Sequence, residues 1–152
     1  MAAKYVFTSG KLALAASATK SVLLVKPSAS RGFTLIGLDV SFDASSAETG
    51  VQVDLYRTTS TTAPVGTAVT GYPMDERDNA TPLTTALGTI TTEPSLNVLA
   101  SWLVQPLGGL AVIQFPLGRE PAAAAGGQYL GVRATTAASV TPDVIVNLYV
   151  EE

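Results

Sequence analysis

Residues 33–57 alternate apolar and polar side chains twice over. Ile36, Leu38, Val40 and Phe42 are separated by Gly37, Asp39 and Ser41; after a small polar stretch at 44–50, Val51, Val53 and Leu55 are separated by Gln52 and Asp54. Successive side chains on a strand point to opposite faces, so a period of two predicts two half-buried β-strands joined by a turn. The apolar set faces inward, and Asp39 and Asp54 are directed to solvent. The same alternation closes the chain, where Val144, Val146, Leu148 and Val150 share one face and Asn147 and Tyr149 the other.

Other stretches fill in the sheets. Val22-Leu23-Leu24-Val25, closed by Pro27, is a short continuous apolar run of the kind buried on both faces. Residues 67–69, 83–92, 110–121 and 128–135 supply further strands, with 110–121 read as a buried one ended by Pro116, and 122–127 as a small-residue loop with nothing to pack. Residues 4–8 and 11–15 flank Ser9-Gly10 as an edge hairpin, blunted by Lys4 and Lys11, or as an arm over residues 1–18 that reaches a neighbour. Leu96, Leu99, Ala100 and Leu103 fall at helical spacing behind Thr92, Glu93 and Pro94, which predicts one short helix. About eight or nine strands at turn-separated intervals describe an all-β chain: one domain over residues 1–152, an antiparallel β-sandwich of jelly-roll type with one short helix.

Composition narrows the chemistry. The 152 residues include neither cysteine nor histidine, which removes thiol nucleophiles, disulfides, Cys/His zinc sites and histidine-based acid–base catalysis. Charged residues make up 14% and the formal net charge is -3, a surface unsuited to holding phosphates, so nucleic acid is not an expected partner. Residues 94–118 carry no charge, but Gln105, Pro106, Gly109, Gln114 and Pro116 break them into pieces too short to span a bilayer. The first 25 residues lack the uninterrupted apolar segment of a secretory signal. Asp75, Glu76, Asp78 and Asn79 crowd oxygens together without the spacing of a calcium loop, and Arg77 stands among them. Asp39, Asp54, Glu93 and Glu120 are the carboxylates from which a glycosidase pair would have to come. The outward direction expected of Asp39 and Asp54 favours a solvated sheet face instead.

Two non-enzymatic readings follow. One is a structural subunit of an assembly; the other is a carbohydrate-binding sandwich using Trp102, Tyr72 or Tyr129 as stacking platforms. One tryptophan and 7% aromatic residues favour the first.

The segments GLDVSFDAS, VQVDLYRTTS, TEPSLNVLASWLVQPLGG, IQFPLGREP and VIVNLYVEE together resemble small β-rich virion proteins of tailed bacteriophages, over nearly the whole chain from Phe33 onward. The resemblance implies a capsid decoration, or cement, protein, made in the host cytoplasm and seated on the outer surface of the phage head. Its partners would be the major capsid protein and further copies of itself, as a homotrimer, with no cofactor, nucleic acid or membrane. The interface residues it implies are Tyr5, Phe7, Leu12 and Leu14 from the N-terminal segment, and Leu99, Trp102, Leu103 and Leu107 from the apolar one.

Overall fold

The computed structural model describes residues 2–43, 49–59, 63–75, 77, 81–107 and 109–152. Among the described residues, thirteen strands run in the order β1 (Lys4–Thr8), β2 (Leu12–Ala13), β3 (Thr19–Lys26), β4 (Phe33–Asp43), β5 (Val51–Thr58), β6 (Val65–Val69), β7 (Tyr72–Pro73), β8 (Thr85–Thr92), β9 (Leu96–Val104), β10 (Leu110–Gln114), β11 (Ala122–Ala123), β12 (Leu130–Thr135) and β13 (Asp143–Glu151). They form two antiparallel sheets. The wide sheet has the order β10-β4-β13-β1-β7, with β11 on β4 and β2 on β13; the six-stranded sheet has the order β6-β8-β3-β12-β5-β9.

The alternation explains the packing of the two sheets. Leu38, Val40 and Phe42 of β4, Val51, Val53 and Leu55 of β5, and Val144, Val146, Leu148 and Val150 of β13 all point into one core and are buried. The expected inward direction of Ile36 is corrected. Between Tyr149↔Gly37 and Val150↔Leu35 the β13–β4 register skips Ile36, so this residue is an extra one on β4, and the phase of the strand changes there. Phe33 and Leu35 therefore face inward before it, and Ile36 is only half-buried. The 44–50 turn lies largely outside the described residues.

The expected helix is a strand. Leu96–Val104 pairs along its whole length with β5, from Val51↔Val104 to Thr58↔Leu96. A helix of two or three turns has little stability of its own, whereas a ninth strand satisfies the backbone groups of β5. The helical spacing arose from residues on both faces of β9: Ala100 is half-buried, Leu99 is the extra residue where the register shifts, and Leu103 points out. Residues 110–121 also differ from expectation. The strand stops at Gln114 and is the outermost of the wide sheet, with Leu110 and Val112 exposed instead of buried. In the 122–127 segment, Ala122 and Ala123 pair with Thr34 and Phe33, and Ala123 is buried.

The N-terminal segment is an integral part of the sheet. β1 lies between β13 and β7, in register from Lys4↔Glu151 to Thr8↔Asn147, and Tyr5 and Phe7 fill the core beneath it. Gly71 is needed here: a Cβ on it would lie 2.4 Å from the Phe7 ring.

The outer face of the six-stranded sheet carries a second apolar cluster. Leu24, Tyr56 and Ile90 are buried there, with Leu87, Leu96 and Tyr129 around them. The connection from β8 to β9 ties down this face: Pro94 is buried, Glu93 accepts the Ser21 N–H at 2.9 Å, and Ser95 O accepts the Thr59 N–H at 2.9 Å. β3 is thus buried on both sides, as its unbroken apolar run predicts. Tyr56 donates its hydroxyl to Ser21 Oγ at 2.7 Å, and burial pushes its phenol above the ordinary range. Asp54, expected in solvent, is fully buried on this same face. Its carboxylate accepts from Ser101 Oγ at 2.6 Å, Gln52 Nε2 at 2.9 Å and Arg133 Nε at 2.8 Å. Three partners cover what the alternation alone would have left open.

Candidate functional site

β9 and β10 follow one another in sequence, and each is the edge strand of its sheet. Among the described residues, one side of each therefore has no strand paired to it. Edge strands are normally blunted by charged side chains, because a bare edge is a template for pairing with another chain. Residues 94–118, which contain both strands and the turn between them, have no charged residue. They do have large apolar side chains in solvent: Leu99, Leu107, Leu110 and Val112, together with Leu103 at 76% exposure and Leu117 at 97%. The opposite edge of the wide sheet is built differently. β7 is two residues long and runs into Asp75, which is held by Arg77 at 2.7 Å.

Of the residues expected at an interface, Leu99, Leu103 and Leu107 are exposed, on β9 and in the turn that follows it. Trp102, opposite Val53, is half-buried against the core and offers only part of its ring. Tyr5, Phe7 and Leu14 are core residues, and Leu12 is half-buried on β2, so the N-terminal four fill this chain's own interior. Sequence reasoning passed over Leu110, Val112 and Leu117. Their signal was the absence of any charge flanking a strand-like run.

The three aromatic residues of the carbohydrate reading, Trp102, Tyr72 and Tyr129, stand at separate places. Trp102 lies on β9; Tyr72 is exposed on β7 at the far edge of the other sheet; Tyr129 is half-buried before β12, with Lys26 Nζ 5.1 Å from its ring centroid. Burial raises the Tyr129 phenol.

The outer face of the wide sheet holds a polar cluster of its own. Asp39 and Asn147 are direct partners across β4 and β13. Asn147 Nδ2 donates to Asp39 Oδ1 at 2.6 Å, and the Tyr149 hydroxyl donates to Asp39 Oδ2 at 2.7 Å. That hydrogen bond, with burial and the carboxylate charge behind it, pushes the Tyr149 phenol up to about 12. The cluster forms part of a groove of about 330 Å³ that runs from Met74 across β4 to Val112 and Phe115.

The four carboxylates considered for catalysis do not converge. Asp39 is on the outer face of one sheet and Asp54 on the outer face of the other; Glu93 is bound to the Ser21 N–H and Glu120 to the Gly118 N–H. Asp75 is engaged by Arg77, and Glu76, Asp78 and Asn79 lie outside the described residues. Among the described residues there is no group of three side chains suited to a metal ion, and no helix long and apolar enough to cross a membrane. No protein-family model, curated protein or solved structure matches this chain.

Proposed function

We propose that this chain is a non-enzymatic structural subunit, a decoration protein of a tailed-phage capsid, whose uncharged β9–β10 edge packs against neighbouring protein. The observation that carries the reading is this edge, two successive edge strands of the two sheets with no charge from 94 to 118 and leucines as exposed as Leu103 and Leu117. Fully burying one such leucine is worth about 1.5–3 kcal/mol, so a few of them repeated by symmetry supply a useful contact without an active site. The segments quoted above that resemble phage virion proteins support the specific role. Two of them, TEPSLNVLASWLVQPLGG and IQFPLGREP, make up most of this edge. On this reading the chain meets copies of itself as a homotrimer and meets the major capsid protein on the head surface.

Light scattering of the purified protein, and co-sedimentation with capsids assembled without it, test the proposal. The parent chain is expected to be a trimer that binds capsids. Leu103→Glu combined with Leu110→Glu places two charges on the edge without touching the core and should give a folded monomer that stays in the supernatant. A doubly charged variant that assembles and binds as the parent does would remove the edge from the argument.

A further inference from the structure

The groove on the outer face of the wide sheet has a chemistry the edge lacks. Its floor is β4 and β13, each hydrogen-bonded on both sides within the sheet, and one wall is the edge strand β10. Over that floor, recognition must come from side chains. A carboxylate has about four acceptor positions, and Asp39 uses one on each oxygen for Asn147 and Tyr149. One acceptor position per oxygen is left, held in a fixed plane by the two donors. The Tyr149 oxygen, having donated its proton, can accept one bond. On the β10 side, Gln114 is exposed and makes no side-chain hydrogen bond among the described residues, so both ends of its amide are open. Ile36, turned out of the core by the register shift in β4, joins Met74, Val112 and Phe115 as apolar wall.

The ligand class follows from what the groove has and lacks. Among the described residues no lysine or arginine lines it, and Asp39 repels anions. Asp39 is the one carboxylate among the described lining residues, too few oxygens for a hard cation. A pair of parallel acceptors beside an amide and an apolar wall suits a neutral molecule with adjacent hydroxyls on one side and C–H groups on the other. We propose that this groove binds a neutral saccharide, with Asp39 and Gln114 taking its hydroxyls and Ile36 and Phe115 its apolar face. Asn147 is a positioning residue, acting through Asp39. The site shares Val112 and Gln114 of β10 with the edge on which the capsid reading rests, but its polar groups, Asp39, Asn147 and Tyr149, lie on β4 and β13.

The test is a heteronuclear NMR titration of the isotope-labelled chain with neutral oligosaccharides of glucose, mannose, galactose and N-acetylglucosamine, each taken to about 10 mM so that millimolar complexes are populated. At least one should shift the Gly37 backbone amide and the Gln114 side-chain amide in a saturable way. Asp39→Asn and Gln114→Ala should each weaken that response about tenfold, and Leu103→Glu, on the other sheet, should leave it unchanged. Absence of any such shift across the panel overturns the proposal, as does a response centred elsewhere or one indifferent to both groove variants. A groove that ignores every sugar but takes up an uncharged leucine-rich peptide overturns it too. Loss of trimerisation in Leu103→Glu with sugar binding retained would separate this result from the fate of the capsid reading.

Discussion

Removing the Arg133 guanidinium should destabilise the fold more than removing the Asp54 carboxylate it holds, although the two share one ion pair. Asp54 is wholly buried, whereas 25% of the Arg133 side chain remains in solvent. Breaking a buried pair by truncating one partner costs about 3–5 kcal/mol, because the other charge is left stranded. Arg133→Ala leaves a carboxylate that has no exposed surface in the parent without its opposite charge, so its loss belongs at about 3–4 kcal/mol. Asp54→Ala leaves a guanidinium that is already partly hydrated, and the loss should be nearer 2 kcal/mol, within the range of about 1.5–3 kcal/mol for hydrogen bonds to a charged group. At about 2–4 °C per kcal/mol for a domain of this size, the two melting temperatures separate by several degrees.

The pH dependence should differ between parent and variant. In the parent, burial pushes the Asp54 carboxyl up, but Ser101, Gln52 and Arg133 outweigh it and hold the group below its ordinary value. Its contribution is then complete above the unfolded value of about 3.9 and is lost as pH falls through the lower folded one. Without Arg133 one hydrogen bond and the opposite charge are gone while burial remains, so the folded value moves up from that of the parent. The deficit of Arg133→Ala should therefore shrink as pH falls from neutral into the carboxylate range, where the variant's carboxylate takes up a proton before the parent's does. Urea unfolding followed by Trp102 fluorescence measures both effects. Equal losses at neutral pH, or a deficit that stays constant at the lower pH, would refute the stranded-carboxylate argument.

Three further outcomes are expected. Gly131→Ala places a Cβ 2.8 Å from Tyr56 Cζ and 2.9 Å from Leu24 Cγ, and should cost about 1–3 kcal/mol by overpacking; a parent-like thermal melt would mean that the outer cluster yields. In a near-ultraviolet alkaline titration, Tyr149 should ionise close to 12 and Asp39→Asn should bring it back toward 10, so the parent loses stability between those two values as the unfolded phenol ionises first; identical titrations would break the Asp39 link. Deletion of residues 1–8 takes β1 from between β13 and β7 together with Phe7, whose truncation to alanine alone is worth about 3–5 kcal/mol, so circular dichroism should show an unfolded chain. A folded monomer after that deletion would restore the arm.

The strands that alternate cleanly were legible because burial on one face leaves a period of two in the sequence. β13 keeps that period from Val144 to Val150, and β5 from Val51 to Leu55. Where the phase changes, the reading fails for a stated reason: Ile36 occupies an irregular position that no single-strand pattern reveals, because the shift exists only relative to β13. β9 defeated the pattern differently. An edge strand apolar on both faces has no contrast to read, so chance spacing of leucines looked helical. Asp54 was assigned to solvent because strand alternation says which face a residue takes and nothing about what lies over that face. The groove was half visible, since Asn147 and Tyr149 were placed opposite the apolar face of their strand and Asp39 on the polar face of its own. That the two polar faces are one followed only from the pairing of Asp39 with Asn147, 108 positions apart.

The adjacency of β1 and β13 has a consequence in time. Lys4 pairs with Glu151, and β13 sits at the middle of the wide sheet, between β4 and β1. Until β13 has been synthesised, β1 lacks its main partner and β4 has only short β10 and β11 beside it. The wide sheet therefore closes last, and after the edge at β9 and β10 has already emerged from the ribosome. Chains dominated by such distant pairings fold in milliseconds to seconds, about the slow end for single domains. During that interval an apolar, uncharged edge is exposed beside an unfinished sheet, open to pairing with other unfinished chains.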